Sequence, residues 1–239
     1  MLFCVFFIAK CVIIIARGIV TIEFWSVEMK IIDLTRPLTE EIPIYPGDEA
    51  PKIEQIKNLD TDGYRAKRLT LTTHTGTHID SPSHLFKSGA TLDEISPEQF
   101  LGTAIVADVS TVKDTIEISD IKLPKADIFN SDFLLLYTGA EEVIETEGSE
   151  CQPPVLSQEA ANFLASMPLK GVGFDALSPD KVKSRDLKNH RAFFHSKLII
   201  IENLINLKKL PLGKQFCLVA LPLLVGDSDG CPARVLAIL

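Results

Sequence analysis

Residues 74–84 read HTGTHIDSPSH, placing three of the chain's five histidines and one aspartate within eleven positions. His74, Gly76, His78, Asp80 and His84 share one parity, so a fully extended chain would point them all to one face. A straight strand cannot gather them, because four residues of strand span about 13 Å. A helix is disfavoured by Thr-Gly-Thr and Ser-Pro-Ser, which are poor helix formers. The reading that remains is a strand end bent at Gly76, where a backbone without Cβ can double back. His78 and Asp80 then lie about 7 Å apart at Cα, within reach of one metal ion. Pro82 is expected to end the strand and carry His84 away from the ligands. The competing reading is a polar turn with solvated histidines, which does not account for the crowding of donors.

Two imidazoles and a carboxylate suit Zn²⁺, Mn²⁺ or Fe²⁺ with coordination positions left open. A structural site would be closed by a fourth protein ligand, often cysteine, and no cysteine lies near the stretch. The other two histidines, His190 and His195, precede Glu202, which interrupts the apolar run KLIIIENL (197–204). A buried carboxylate needs a partner there. A metal ion would serve, and so would Lys197 or a backbone donor.

The 239 residues suffice for a substantial core. With 46% hydrophobic and 23% charged residues, the composition is that of an ordinary globular protein. The net charge of −8 comes with interspersed signs and no Lys/Arg-rich run, so a nucleic-acid partner is not expected. Cys4, Cys11, Cys151, Cys217 and Cys231 are odd in number and form no C-x-x-C, which argues against a disulfide framework or a zinc knuckle. Within residues 1–28, the run MLFCVFFIAKCVIIIARGIV (1–20) is strongly apolar but interrupted by Lys10 and Arg17, and it lacks a basic leader region and a convincing cleavage site. Residues 1–28 read as an extension ahead of Met29, a mis-assigned start or a dispensable segment, with a membrane anchor as the alternative. Residues 29–239 read as one domain, with a cytoplasmic location expected.

Within that domain, runs of buried-strand length recur: IIDL (31–34), TAIVADVS (103–110), FLLLYT (133–138), KGVGFDA (170–176), KLIIIENL and QFCLVAL (215–221). RLTLTT (68–73) alternates as a half-buried strand should, and IPIYPGDEAP (42–51) reads as a loop. Ser96-Pro97-Glu98-Gln99 has a capping-box pattern, and Ser157 is placed to cap a helix through QEAANFLAS. The expectation is one α/β domain with a mixed, barrel-like central sheet and flanking helices.

These residues carry a resemblance. HTGTHIDSPSH is similar to the H-x-G-T-H-x-D-x-P-x-H signature of the metal-dependent cyclase family, which includes bacterial kynurenine formamidases and isatin hydrolases. Ile31–Thr35, Tyr45-Pro46-Gly47-Asp48, His190 followed twelve residues later by Glu202, and Gly226 to Arg234 resemble further segments of it. The resemblance covers nearly all of residues 29–239 and implies a swivelling β/β/α fold. It also implies a site of one or two divalent ions, Zn²⁺ or Mn²⁺. His74, His78 and Asp80 would hold the first, and Asp80 would bridge to a second held by His190 and Glu202. His84 would be the general acid/base and Tyr45 a wall of the substrate pocket, while His195 falls outside the site. The implied activity is hydrolysis of a small amide, cyclic amide or lactone by metal-bound hydroxide, in a homodimer or homotetramer. A formyl-amide substrate such as N-formylkynurenine, the best-known choice in that family, would place the enzyme in tryptophan catabolism. The segment after Thr138-Gly139, AEEVIETEGSE, has no aromatic residue of the kind expected there in formamidase-like members. The rival readings are a non-catalytic metal-binding module and a membrane-tethered member acting on a non-aryl substrate. A zinc protease of the H-E-x-x-H kind lacks its glutamate, since Thr75 follows His74.

Overall fold

The computed structural model describes residues 10–16, 19–25, 29–147 and 153–239. Lys10–Ala16 (β1) and Ile19–Trp25 (β2) pair antiparallel in a two-stranded sheet of their own. The rest of the 1–28 segment lies outside the described residues. Among those described, no helix is long and apolar enough to cross a membrane.

From Met29 onward the chain alternates strands and short helices. Ile31–Asp33 (β3) leads through an irregular loop to Lys52–Lys57 (β4), Leu59–Asp62 (α1) and Ala66–Thr70 (β5). His78–Asp80 (β6), Leu101–Asp108 (β7), Thr115–Ile116 (β8), Lys125–Phe129 (α2) and Phe133–Tyr137 (β9) follow. Then come Ala140–Glu147 (α3), Val155–Leu156 (β10), Gln158–Ala165 (α4) and Gly171–Phe174 (β11). Lys188–His195 (α5), Ile199–Glu202 (β12), Phe216–Pro222 (β13) and Gly230–Ile238 (β14) complete the chain.

The main sheet runs β13-β7-β9-β11-β12-β6-β14, and β14 pairs back onto β13, so seven strands close into a mixed barrel with β3 added outside β14. The contiguous strands β7, β9, β11 and β12 are parallel, whereas β6, β13 and β14 are joined through antiparallel pairings. This is the α/β class with the barrel-like sheet expected from the sequence.

Side-chain parity explains why some strands are apolar throughout and others alternate. In β9, Phe133 and Leu135 point into the barrel with Ala104, Val106, Ile199 and Ile201. Leu134 and Leu136 point outward, into a second core with Ile105, Ile200 and the buried faces of α4 and α5. Parallel strands covered on both sides read as continuous apolar runs. In β13, by contrast, Phe216, Leu218 and Ala220 are buried while Leu221 is 50% exposed, the alternation of a strand buried on one face.

Two local expectations change. The stretch at 68–73 contributes to β5, which among the described residues pairs only with β4 as an outlying hairpin, and Leu69 is 54% exposed. Alternation records a strand, and burial requires a second layer that no described residue supplies to this hairpin. Ser96 precedes a 3₁₀ turn, Pro97–Phe100, and its hydroxyl donates to Glu98 instead of capping the turn. Ser157 does cap α4, accepting from the Ala160 amide at 3.2 Å.

Candidate metal centre

The bend at Gly76 is real: its φ is +68°, a left-handed value that glycine adopts without a Cβ penalty. Thr77 pins the bend. Its hydroxyl donates to the Asn203 carbonyl (2.7 Å) and accepts from the Arg36 amide (2.8 Å). Strand β6 then pairs with β12 on one side and β14 on the other, setting Glu202 opposite His78 and Gly230 opposite Asp80. Ile79 points into the barrel, so His78 and Asp80 point to the outer face, under α5. Glu202 has the same parity as outward-facing Ile200 and lies on that face as well.

Helix α5 decides between the remaining histidines. Asn189, His190, Phe193 and Phe194 form its buried stripe, the i, i+3, i+4 pattern of an amphipathic helix. His190 therefore faces the carboxylates, while His195 is exposed with its ring 4.7 Å from Phe86.

The resulting cluster is dense. His78 donates from Nδ1 to the Gly76 carbonyl (2.8 Å), which leaves Nε2 3.2 Å from both Asp80 Oδ1 and Glu202 Oε2. His190 Nε2 lies 3.2 Å from Glu202 Oε1 and 3.6 Å from Asp80 Oδ2. The two oxygens of Asp80 thus face different histidine sets. His74 has a carboxylate at each nitrogen, Asp80 Oδ1 at 2.7 Å from Nδ1 and Asp229 Oδ2 at 2.9 Å from Nε2. Donor atoms of His74, His78 and Asp80 lie within 4.8 Å of one another, as do those of Asp80, His190 and Glu202.

These residues fit a divalent cation. His78, Asp80, His190 and Glu202 are all buried. Yet His78 Nε2, Asp80 Oδ2 and Glu202 Oε1 make no hydrogen bond, although each has opposite-type atoms at 3.2–3.6 Å. Donors close together but misaligned for hydrogen bonding are the arrangement a shared ion requires, and buried polar atoms are otherwise satisfied. The electrostatics agree. Burial disfavours charge on His78 and His190, but neighbouring carboxylates outweigh it and raise both pKa values well above the ordinary histidine value. Burial likewise opposes ionisation of Asp80, and the histidines overcome it and hold its pKa well below the usual carboxylate range. Asp80 is thus kept ionised and demands positive charge beside it.

Pro82 ends β6 as expected, but the 3₁₀ turn Pro82–His84 returns His84 to the cluster, with its ring 4.2 Å from that of His74. His84 Nδ1–H donates to Asp229 Oδ2 at 3.0 Å. A third group of possible donors, His74, His84 and Asp229, adjoins the first. Burial pushes the Asp229 carboxyl up, but bonds from His74 and His84 prevail and hold it down at about 2.

Tyr45 stands in the wall of the cavity above these residues. The cavity measures about 300 Å³, and Pro43, Ile44, Leu177 and Leu187 form its apolar lining. Such a volume lies at the small end of ligand sites. The tyrosine hydroxyl accepts from the Lys183 amide at 2.8 Å, tying the 43–48 loop to the segment before α5.

Two acidic residues escaped the sequence reading. Asp229 was visible only within a resembling segment, and Asp180 accepts from His190 Nδ1 at 2.7 Å. Both are common residues far from the signature, and no spacing rule singles them out.

The fold is thus an α/β protein with a closed mixed barrel, and buried histidines and carboxylates that could hold a metal ion line the floor of a cavity. The sequence profile described as putative cyclase matches residues 32–181, and the chain belongs to that family. It is 30% identical over 208 residues to a kynurenine formamidase of Bacillus anthracis, covering 86% of this chain and 95% of that one. A kynurenine formamidase of Salinibacter ruber is 29% identical over 208 residues, covering 86% and 96%. Among solved structures, a predicted metal-dependent hydrolase from Bacillus stearothermophilus superposes with a TM-score of 0.74 at 31% identity, covering 89% of this chain and 99% of that one. Isatin hydrolase A from Ralstonia solanacearum shares the fold, with a TM-score of 0.76 at 22% identity over 88% of this chain and 92% of that one.

Proposed function

We propose that the protein is a metal-dependent hydrolase that opens a C–N bond in a small amide or cyclic amide, or the C–O bond of a lactone. The observation that carries this reading is the set of buried, unbonded donor atoms on His78, Asp80 and Glu202 at the floor of the cavity. His74, His78 and Asp80 would hold one divalent ion, and Asp80, His190 and Glu202 a second. Zn²⁺ and Mn²⁺ both suit this nitrogen and oxygen set. Bound there, the ions would supply Lewis acidity toward a substrate carbonyl and toward water.

The chain's own residues do the rest. His84 is the proton carrier: Asp229 holds its Nδ1–H, so Nε2 can accept a proton from water and return it to the leaving nitrogen. The proton balance closes: one O–H bond of water breaks, a new acyl C–O bond replaces the C–N bond of an amide or the C–O bond of a lactone, and the proton goes to the leaving nitrogen or oxygen. Tyr45, Ile44, Leu177 and Leu187 form an apolar wall that orients a small, flat substrate and sheds water. A formyl-anilide is a natural first candidate, given the kynurenine formamidases among the relatives. A cavity open onto the donor set favours catalysis over a purely metal-binding role.

The test joins metal analysis to a hydrolysis screen over formyl-anilides, isatin-like rings and lactones. His84→Ala is expected to lower kcat by about 10²–10⁴-fold with metal content unchanged. Loss of metal in that variant would make His84 a ligand. Light scattering checks the dimer or tetramer that the family membership suggests.

A further inference from the structure

We propose that Asp180 is a positioning residue for the second metal position, fixing both the rotamer and the tautomer of His190 while standing in for the missing N-cap of α5. The proposal rests on the reading of His190 as a ligand.

Helix α5 begins without a cap of its own. The residue at its N-cap position is Leu187, in a left-handed conformation (φ 44°) and with no side-chain oxygen to offer. The first amides of a helix need acceptors, which a capping side chain normally provides. Here the acceptor comes from outside the helix, from residue 180. Asp180 Oδ1 accepts from the Asn189 amide (3.0 Å) and Oδ2 from the His190 amide (3.1 Å). The same Oδ2 accepts from His190 Nδ1 at 2.7 Å. A proton held on Nδ1 leaves Nε2 as the nitrogen facing Glu202 and Asp80. Asn189 secures the arrangement, its side-chain amide donating to the carbonyls of Pro179 (2.8 Å) and Leu156 (3.0 Å). Asp180, Asn189 and His190 are all buried, so water does not compete for these bonds.

The segment between Asp180 and α5 is also part of the cavity wall. It contributes Ser184 and Leu187 to the lining and meets Tyr45 through the Lys183 amide. Lys183 and Leu187 both hold positive φ, at 66° and 44°, which side-chain-bearing residues seldom adopt. Asp180 closes this segment at its base, so one carboxylate ties the second metal position to the pocket wall. A carboxylate behind a metal-binding histidine raises affinity by orienting the ring.

The experiment is zinc titration of metal-stripped protein by calorimetry, with thermal unfolding of the same samples. Wild type is expected to take up two ions and His190→Ala one. Asp180→Asn is expected to keep the first ion at wild-type affinity and to bind the second about 10–100-fold more weakly. Equal weakening of both ions, or of neither, overturns the proposal. If His190→Ala still binds two ions, the ligand reading itself fails and the proposal with it. A wild-type result in Asp180→Asn beside a loss in His190→Ala sinks the proposal alone. Should Asp180→Asn not fold, long-range ¹H–¹⁵N spectra of zinc-loaded wild type decide. A proton on His190 Nδ1 supports the proposal, and a proton on Nε2 overturns it.

Discussion

Gly230 shows how little room the site leaves at the scale of single residues. It sits opposite Asp80 in β14, and a Cβ built there would lie 2.7 Å from His74 Cε1. The imidazole therefore lies flat against a backbone that must have no side chain. If His74 holds the proposed first ion, Gly230→Ala is expected to displace the ring and weaken that ion about tenfold or more, a magnitude typical of disturbed ligand support. Chelator competition would read it, and an unchanged affinity would show that His74 tolerates the shift. Among the candidate site residues, those of HTGTHIDSPSH stood out in the sequence because their concentration in eleven positions is itself a signal. Glu202 was legible as a charge in an apolar run. Asp180 and Asp229 were not, since each acts on a histidine ten or more residues away through a contact that only folding creates.

Adjacent parallel elements carry a second buried carboxylate away from the proposed ligands. Asp175, just past β11, accepts from the Thr138 amide (2.9 Å) and hydroxyl (2.7 Å), just past β9, and joins the ends of the two strands. Burial dominates and raises its pKa to about 6, despite the bonds from Thr138. The folded pKa lies above the ordinary aspartate value of 3.8, so the fold binds the proton more tightly than the unfolded chain does. Stability from this group is fully present below pH 3.8 and is lost as pH rises through about 6. The loss is about 3 kcal/mol, roughly two pKa units. Asp175→Asn keeps an acceptor for Thr138 and removes the titration. Urea unfolding across pH 4–7 is expected to show wild type falling relative to the variant by about that amount. Parallel profiles would mean that Asp175 is solvated or paired when ionised. At this scale the sequence was informative about strands covered on both faces, because an unbroken apolar run of strand length would otherwise leave every second side chain in water. It misread β5, whose alternation looks the same whether or not a second layer covers it.

For the molecule as a whole, closure of the barrel is the decisive event. The return of β14 onto β13 closes the sheet, and the pairing of β14 with β6 brings the Asp229-Gly230 segment against residues 74–84, which lie some 150 positions earlier in the chain. Hairpin β1–β2 takes no part in that closure. A protein comprising residues 29–239 is therefore expected to fold with an unchanged thermal midpoint, metal content and activity. A loss of any of these would give the N-terminal segment a structural role. Sequence alone determined the donor types, the bend at Gly76, the buried strands and the burial of Glu202, because each follows from local stereochemistry or from the cost of hiding a charge. Tertiary structure alone decided which strands are neighbours, that His84 returns to the cluster, and that Asp180 and Asp229 stand behind the histidines. Those contacts join residues distant along the chain, and their geometry is set by sheet register and helix packing, which no local pattern encodes.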